Sequence, residues 1–224
     1  MAVVKSPVRG RFTAALMHPM AKPVLFAAAL LPLAWLVYGA VTNSLGANPA
    51  EYLIRSLGDW TLRFLCLTLA VTPLRVVTGT AALARFRRMV GLFVYFYAAL
   101  HLLAYSGFDM EFDVAAIAKD IAKRPFILVG FSGFVLLTPL AATSFNRAVK
   151  ALGARRWQRL HQLVYAVAGL GILHFFWMRA AKNNFAEVAV YAAILGALLA
   201  WRVLRFWQQR RVQPREASGR TMQT

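Results

Sequence analysis

The sequence predicts an all-α integral membrane protein, a bundle of six transmembrane helices with the N- and C-termini on the cytoplasmic side. Three observations carry that expectation. Of the 224 residues, 60% are hydrophobic and only 15% charged, far from a soluble globular average. Six apolar runs reach about 18 residues or more, the length needed to cross roughly 30 Å of hydrocarbon, and the connections between them are short. Finally, the charges sort by side along the chain.

Taken in order, residues 1–23 form a basic arm carrying Lys5, Arg9, Arg11 and Lys22. The first run, 24–41, is too long for a signal-peptide hydrophobic region and lacks a small-residue cleavage site, so it reads as a retained span. The "GANPAE" stretch reads as a loop and a helix start before the second span, 60–77. A basic connection (Arg75, Arg85, Arg87, Arg88) leads to the third span, 89–106. An acidic connection (Asp109, Glu111, Asp113, Asp120) leads to the fourth, 125–143. A second basic connection (Arg147, Lys150, Arg155, Arg156, Arg159) precedes the fifth span, 161–178, and the sixth follows at 185–206. The segment 208–224 is a basic tail, polar enough to read as frayed and solvated. Pro73 and Pro139, in similar "TPLR" and "TPLA" contexts, read as kinks. Trp60, Trp157, Trp177 and Trp207 read as an interfacial belt at span ends. With Glu51 and Asp59 in the first connection, the positive-inside rule puts both termini and the even connections in the cytoplasm and makes 24–207 one membrane domain.

The net charge of +18 therefore belongs to a cytoplasmic membrane edge suited to anionic lipid or an acidic partner, and not to nucleic acid. The lone Cys66 excludes a disulfide framework or a CxxC site. No P-loop or GxGxxG opens a helix, so a nicotinamide-binding function would have to reside in another protein.

Function is carried by histidine placement. His18 precedes Pro19 in the arm and reads as an interfacial side chain. His101 lies 13 residues after Arg88 and His174 lies 15 after Arg159, so at 1.5 Å rise per residue both are about 20 Å from the cytoplasmic edge. Two neutral imidazoles at matched depth on parallel helices suit a haem iron, one axial nitrogen from each side; the competing reading is a buried histidine that bonds a neighbouring carbonyl. His161 lies at the cytoplasmic edge with Arg87, Arg88 and Met89 opposite it on the third span and no histidine. Thirteen residues of straight helix would rotate its ring roughly 140° from that of His174. Gly169 and Gly171 offer a place for a distortion, which would admit His161 as ligand of a second haem. Arg63 offers either neutralisation of a haem propionate or a snorkelling side chain.

A further set of stretches is more specific than any single histidine: "LLPLAWLVY", "LGANPAEYLIRSLGDW", "TLAVTPLR", "RRMVGLFVYFYAALHLLAY", "KRPFILVGFSGFVLLTPLAATS" and "RRWQRLHQLVY" with "HFFW". Together, over about 24–207, they resemble the haem-binding membrane subunits of the bacterial protein-methionine-sulfoxide reductase system, within the ferric-reductase-like transmembrane superfamily. The family's three intramembrane histidines fall on His101, His161 and His174. The resemblance implies a b-type cytochrome of the bacterial inner membrane, an electron-transfer subunit and not a stand-alone catalyst. It would take electrons from the quinone pool or a cytoplasmic flavin reductase and pass them to a periplasmic molybdenum-containing subunit that reduces methionine sulfoxide. Flavin mononucleotide is also implied by the resemblance alone, since no flavin-binding signature is present. Superfamily oxidases carry two histidines on the third span, where this chain has one. The rival class, a small polytopic transporter, would carry polar substrate ligands near the midplane and broken helices.

Overall fold

The computed structural model describes residues 7–180 and 185–219, with side chains described between 10 and 209 of that range. Lys5, the side chain of Arg9, the segment 220–224 with Arg220, and the tail side chains beyond 209 lie outside the described residues. Among the described residues, six helices are long and apolar enough to cross a membrane. Their exposed apolar side chains, among them Leu31, Trp35, Val203 and Leu204, require hydrocarbon around them rather than water.

The arm forms a short helix, α1 (Pro7–Met17), and the first span is α2 (Ala21–Val41). The second span, α3 (Pro49–Thr78), begins eleven residues earlier than its apolar run. Its start is built locally: Asn48 Oδ1 accepts from the Glu51 amide at 3.1 Å, Pro49 occupies the first turn, and Gly79 closes the far end at φ 62°. Thirty residues make about 45 Å of helix, longer than the hydrocarbon. The extra length is a polar outer extension bearing Glu51, Arg55 and Asp59.

A 3-10 turn (Ala81–Phe86) leads into α4 (Arg87–Ala104), which widens into a π turn (Tyr105–Asp109). The acidic connection contains an amphipathic helix, α5 (Val114–Lys123), capped by Asp113. The fourth span is α6 (Pro125–Ala142). The fourth connection is helical, α7 (Asn146–His161), kinked at Gly153 (φ 72°). The fifth span, α8 (Leu163–Ala180), is followed by α9 (Ala186–Gly219).

Two expectations are corrected. Helix α9 does not end near 208 but continues to Gly219. The helix after His161 breaks at Gln162, whereas Gly169 and Gly171 sit within continuous α8. Trp60 lies in α3 where its polar extension meets the apolar run, with the Arg63 guanidinium 4.5 Å above its ring.

Two helix pairs dominate the packing, α3 on α4 and α6 on α8, with α4 and α6 bridging them and α9 against α3 and α8. Tyr97, fully buried, donates to Ala29 O at 2.8 Å and so ties α4 to α2, while its ring stacks on Phe64 at 5.2 Å. The basic connections gather at one end of the bundle. Arg85 donates to Leu16 O at 2.8 Å, Arg88 to Asn146 Oδ1 at 2.5 Å, and Arg202 to Leu69 O at 2.7 Å.

Candidate functional site

Each helix pair presents one histidine to the space between the pairs. His101 extends from the last turn of α4, with its Nδ1 2.8 Å from Ile54 O on α3. His174 extends from α8, with its Nδ1 2.7 Å from Phe126 O on α6. A carbonyl oxygen only accepts, so both Nδ1 atoms carry the proton and both Nε2 atoms keep a lone pair for another partner. The two ring centroids are 6.1 Å apart, with planes 76° apart. The equal depth expected from Arg88 and Arg159 is thus what the fold produces.

Around the pair lies a cavity of about 480 Å³, in the size range of cofactor sites. Its floor is apolar, with Leu62, Leu65, Val94, Leu137, Val167 and Phe175. Its mouth, away from the basic end, is polar, with Asn48, Glu51, Arg55, Asp59, Asp109 and Arg124. Arg55 pairs with Glu51, and Arg124 with Asp120 at 2.8 Å. Tyr105, one turn beyond His101, donates to Asp120 at 2.6 Å and fastens α5 beside the mouth.

These residues fit an iron porphyrin. With metal–nitrogen bonds of about 2 Å and nitrogens about 1 Å from ring centres, an ion shared by two imidazoles sets the centroids about 6 Å apart, against the 6.1 Å found. Among the described residues no three His, Cys, Asp or Glu gather into a metal centre, so the remaining equatorial ligands would have to come from a macrocycle. The apolar floor suits the ring, and Arg55 and Arg124 suit carboxylates at its edge.

The other sequence-predicted residues lie elsewhere. His161 stacks on Trp157 at 3.8 Å; its Nδ1 is 3.1 Å from Trp157 O and its Nε2 is 3.5 Å from Ser144 Oγ. Neither it, Arg87 nor Arg88 lines the cavity. By helix rise the Arg88 level is about 20 Å from His101. Arg63 also stays outside the cavity, donating from Nε to Tyr191 OH at 3.0 Å. Arg55, Arg124 and Tyr105 escaped the sequence reading, although the charge pairs at Glu51/Arg55 and Asp120/Arg124, four apart at span edges, were a usable signal.

The family described as ferric reductase like transmembrane component matches residues 57–172, a stretch that holds His101 and His161 and ends just before His174. The protein-methionine-sulfoxide reductase heme-binding subunit MsrQ of Polaromonas naphthalenivorans (strain CJ2) is 70% identical over 206 residues, covering 91% of this chain and 94% of its own. The MsrQ proteins of Herminiimonas arsenicoxydans (54% over 189 residues; 84% and 87% covered) and Caulobacter vibrioides (44% over 205 residues; 92% and 95% covered) are similar along nearly the same length. No solved structure shows a significant match.

Proposed function

Because the chain belongs to the ferric-reductase-like transmembrane family, and within it to the MsrQ heme-binding subunits, we propose that it is the b-type haem electron-transfer subunit of a protein-methionine-sulfoxide reductase system. The observation that carries this reading is the facing imidazole pair, 6.1 Å apart, with both Nδ1 protons committed to carbonyls. Bound there, haem would supply reversible one-electron chemistry. His101 and His174 would hold the iron, the α3, α4, α6 and α8 side chains would exclude water from the ring, and Arg55 and Arg124 would neutralise its carboxylates. Such a site transfers electrons and makes no bonds.

In this reading the basic end of the bundle is cytoplasmic in a bacterial inner membrane, so the site lies near the periplasmic face, where a molybdenum-containing reductase subunit would dock. The donor, from the quinone pool or a cytoplasmic flavin reductase, acts from the other side. His161, Arg87 and Arg88 mark the level where a quinone, flavin mononucleotide or second haem would bridge the gap.

Two measurements test the proposal. Purified protein should be coloured, with a Soret band that shifts and sharpens on dithionite; a colourless, fully folded preparation would return the chain to the transporter class. Reporter fusions near Gly46 and Ala115 should read periplasmic, and those near Ala81 and Lys150 cytoplasmic. A reversed pair would place the cavity mouth on the wrong side for a periplasmic acceptor.

A further inference from the structure

The two histidines are seated in the same way on unrelated helices. The carbonyl that receives His101 is that of Ile54, four residues before Gly58; the one that receives His174 is that of Phe126, four residues before Gly130. A helical side chain leans toward the N-terminus and covers the turn behind it. A residue larger than glycine at 58 or 130 would therefore put its Cβ beside the carbonyl, on the side from which the imidazole approaches. A glycine also leaves the ring its space. A Cβ built on Gly130 would lie 2.7 Å from His174 Nδ1, and one built on Gly58 would lie 3.2 Å from His101 Cε1 and 3.3 Å from its Nδ1. By contrast, a Cβ on Gly169, in the same helix as His174, would meet nothing within 4 Å.

We infer that Gly58 and Gly130 are positioning residues for the two proposed iron ligands, each letting one imidazole close against its own backbone beside a helix carbonyl, so that the ring planes stand nearly perpendicular. The inference rests on the proposed ligation by His101 and His174. Its content is additional: the helices facing the ligands, α3 and α6, and not the ligand helices, determine the ring orientation, and with it the electronic state of the iron.

The experiment is electron paramagnetic resonance of the oxidised holoprotein, with haem retention measured alongside. Perpendicular axial imidazoles give a single low-spin feature at very low field, whereas parallel ones give a resolved three-line rhombic spectrum. The wild type should show the former. Gly130→Ala should abolish or move that feature and weaken haem retention roughly tenfold or more, the range typical of lost ligand support. Gly58→Ala, whose contact is looser, should keep haem with a smaller displacement of the same feature. Gly169→Ala should match wild type. If Gly130→Ala does not accumulate in the membrane, Gly58→Ala decides alone. A rhombic wild-type spectrum, or a wild-type feature unchanged in Gly58→Ala and in any recovered Gly130→Ala, overturns the inference. Failure of the ligation itself reads differently: His101→Ala and His174→Ala would then leave the low-spin signal intact whatever the glycine variants do.

Discussion

The chain carries two histidines 13 residues apart on one stretch, His161 and His174, and their surroundings differ in one decisive respect. His174 bonds a carbonyl 48 residues away on another helix, while His161 bonds the carbonyl of Trp157, four residues back in its own. A bond within one helix holds a ring against the backbone that bears it. A bond between helices aims the ring into the space those helices enclose. Only His174 meets a second histidine, itself aimed by a third helix. Position in a membrane span therefore does not by itself bring two imidazoles face to face; here a carbonyl on a facing helix does so for each of them.

The strongest way to break this contrast is to remove each ring in turn. His101→Ala and His174→Ala should each eliminate most low-spin haem from the purified protein, and His161→Ala should remove much less, as read from the reduced-minus-oxidised spectrum per mole of protein. The reverse pattern would transfer the ligand role to the cytoplasmic level.

A subtler effect is expected in kinetics. A carrier near one face must be filled across the remaining thickness, about 20 Å by the rise from Arg88 to His101. Removing His161, or neutralising Arg87 and Arg88 together, should slow reduction by the proposed donor several-fold and leave reoxidation by the proposed periplasmic partner nearly unchanged. Stopped-flow absorbance separates the two half-reactions, and an effect confined to reoxidation would rule out a path through that level.

The smallest change sharpens the outer half of the comparison. Arg55 and Arg124 place positive charge beside the proposed cofactor, which disfavours its more positive, oxidised state. Arg55→Gln with Arg124→Gln should lower the midpoint potential, on the order of tens of millivolts for partly screened charges at a polar mouth. A redox titration giving an unchanged or raised potential would remove these arginines from the site.

Much of this architecture is legible in residues alone, and the reason is the solvent. Hydrocarbon makes every span announce itself as an apolar run, so six spans, and the shared level of His101 and His174, follow from counting. The same reasoning misplaces what is not apolar. The outer turns of α3, with Arg55 and Asp59, and the whole of α5 were read as connections, because a helix that leaves the hydrocarbon loses the signal that identifies it.

Sequence by itself thus determined the number of spans, the basic and acidic sides and the depth of each histidine, all of which depend on composition along one dimension. Tertiary structure alone decided which faces meet: that α3 and α6, rather than the ligand helices, orient the two imidazoles, and that Arg55 and Arg124, 69 residues apart in the chain, share one cavity mouth. Rotation about a helix axis and the choice of neighbour are fixed by contacts between distant segments. At Ile54 and Phe126 the main-chain carbonyl that meets an imidazole lies four residues before a glycine, a pairing that only the packed helices reveal.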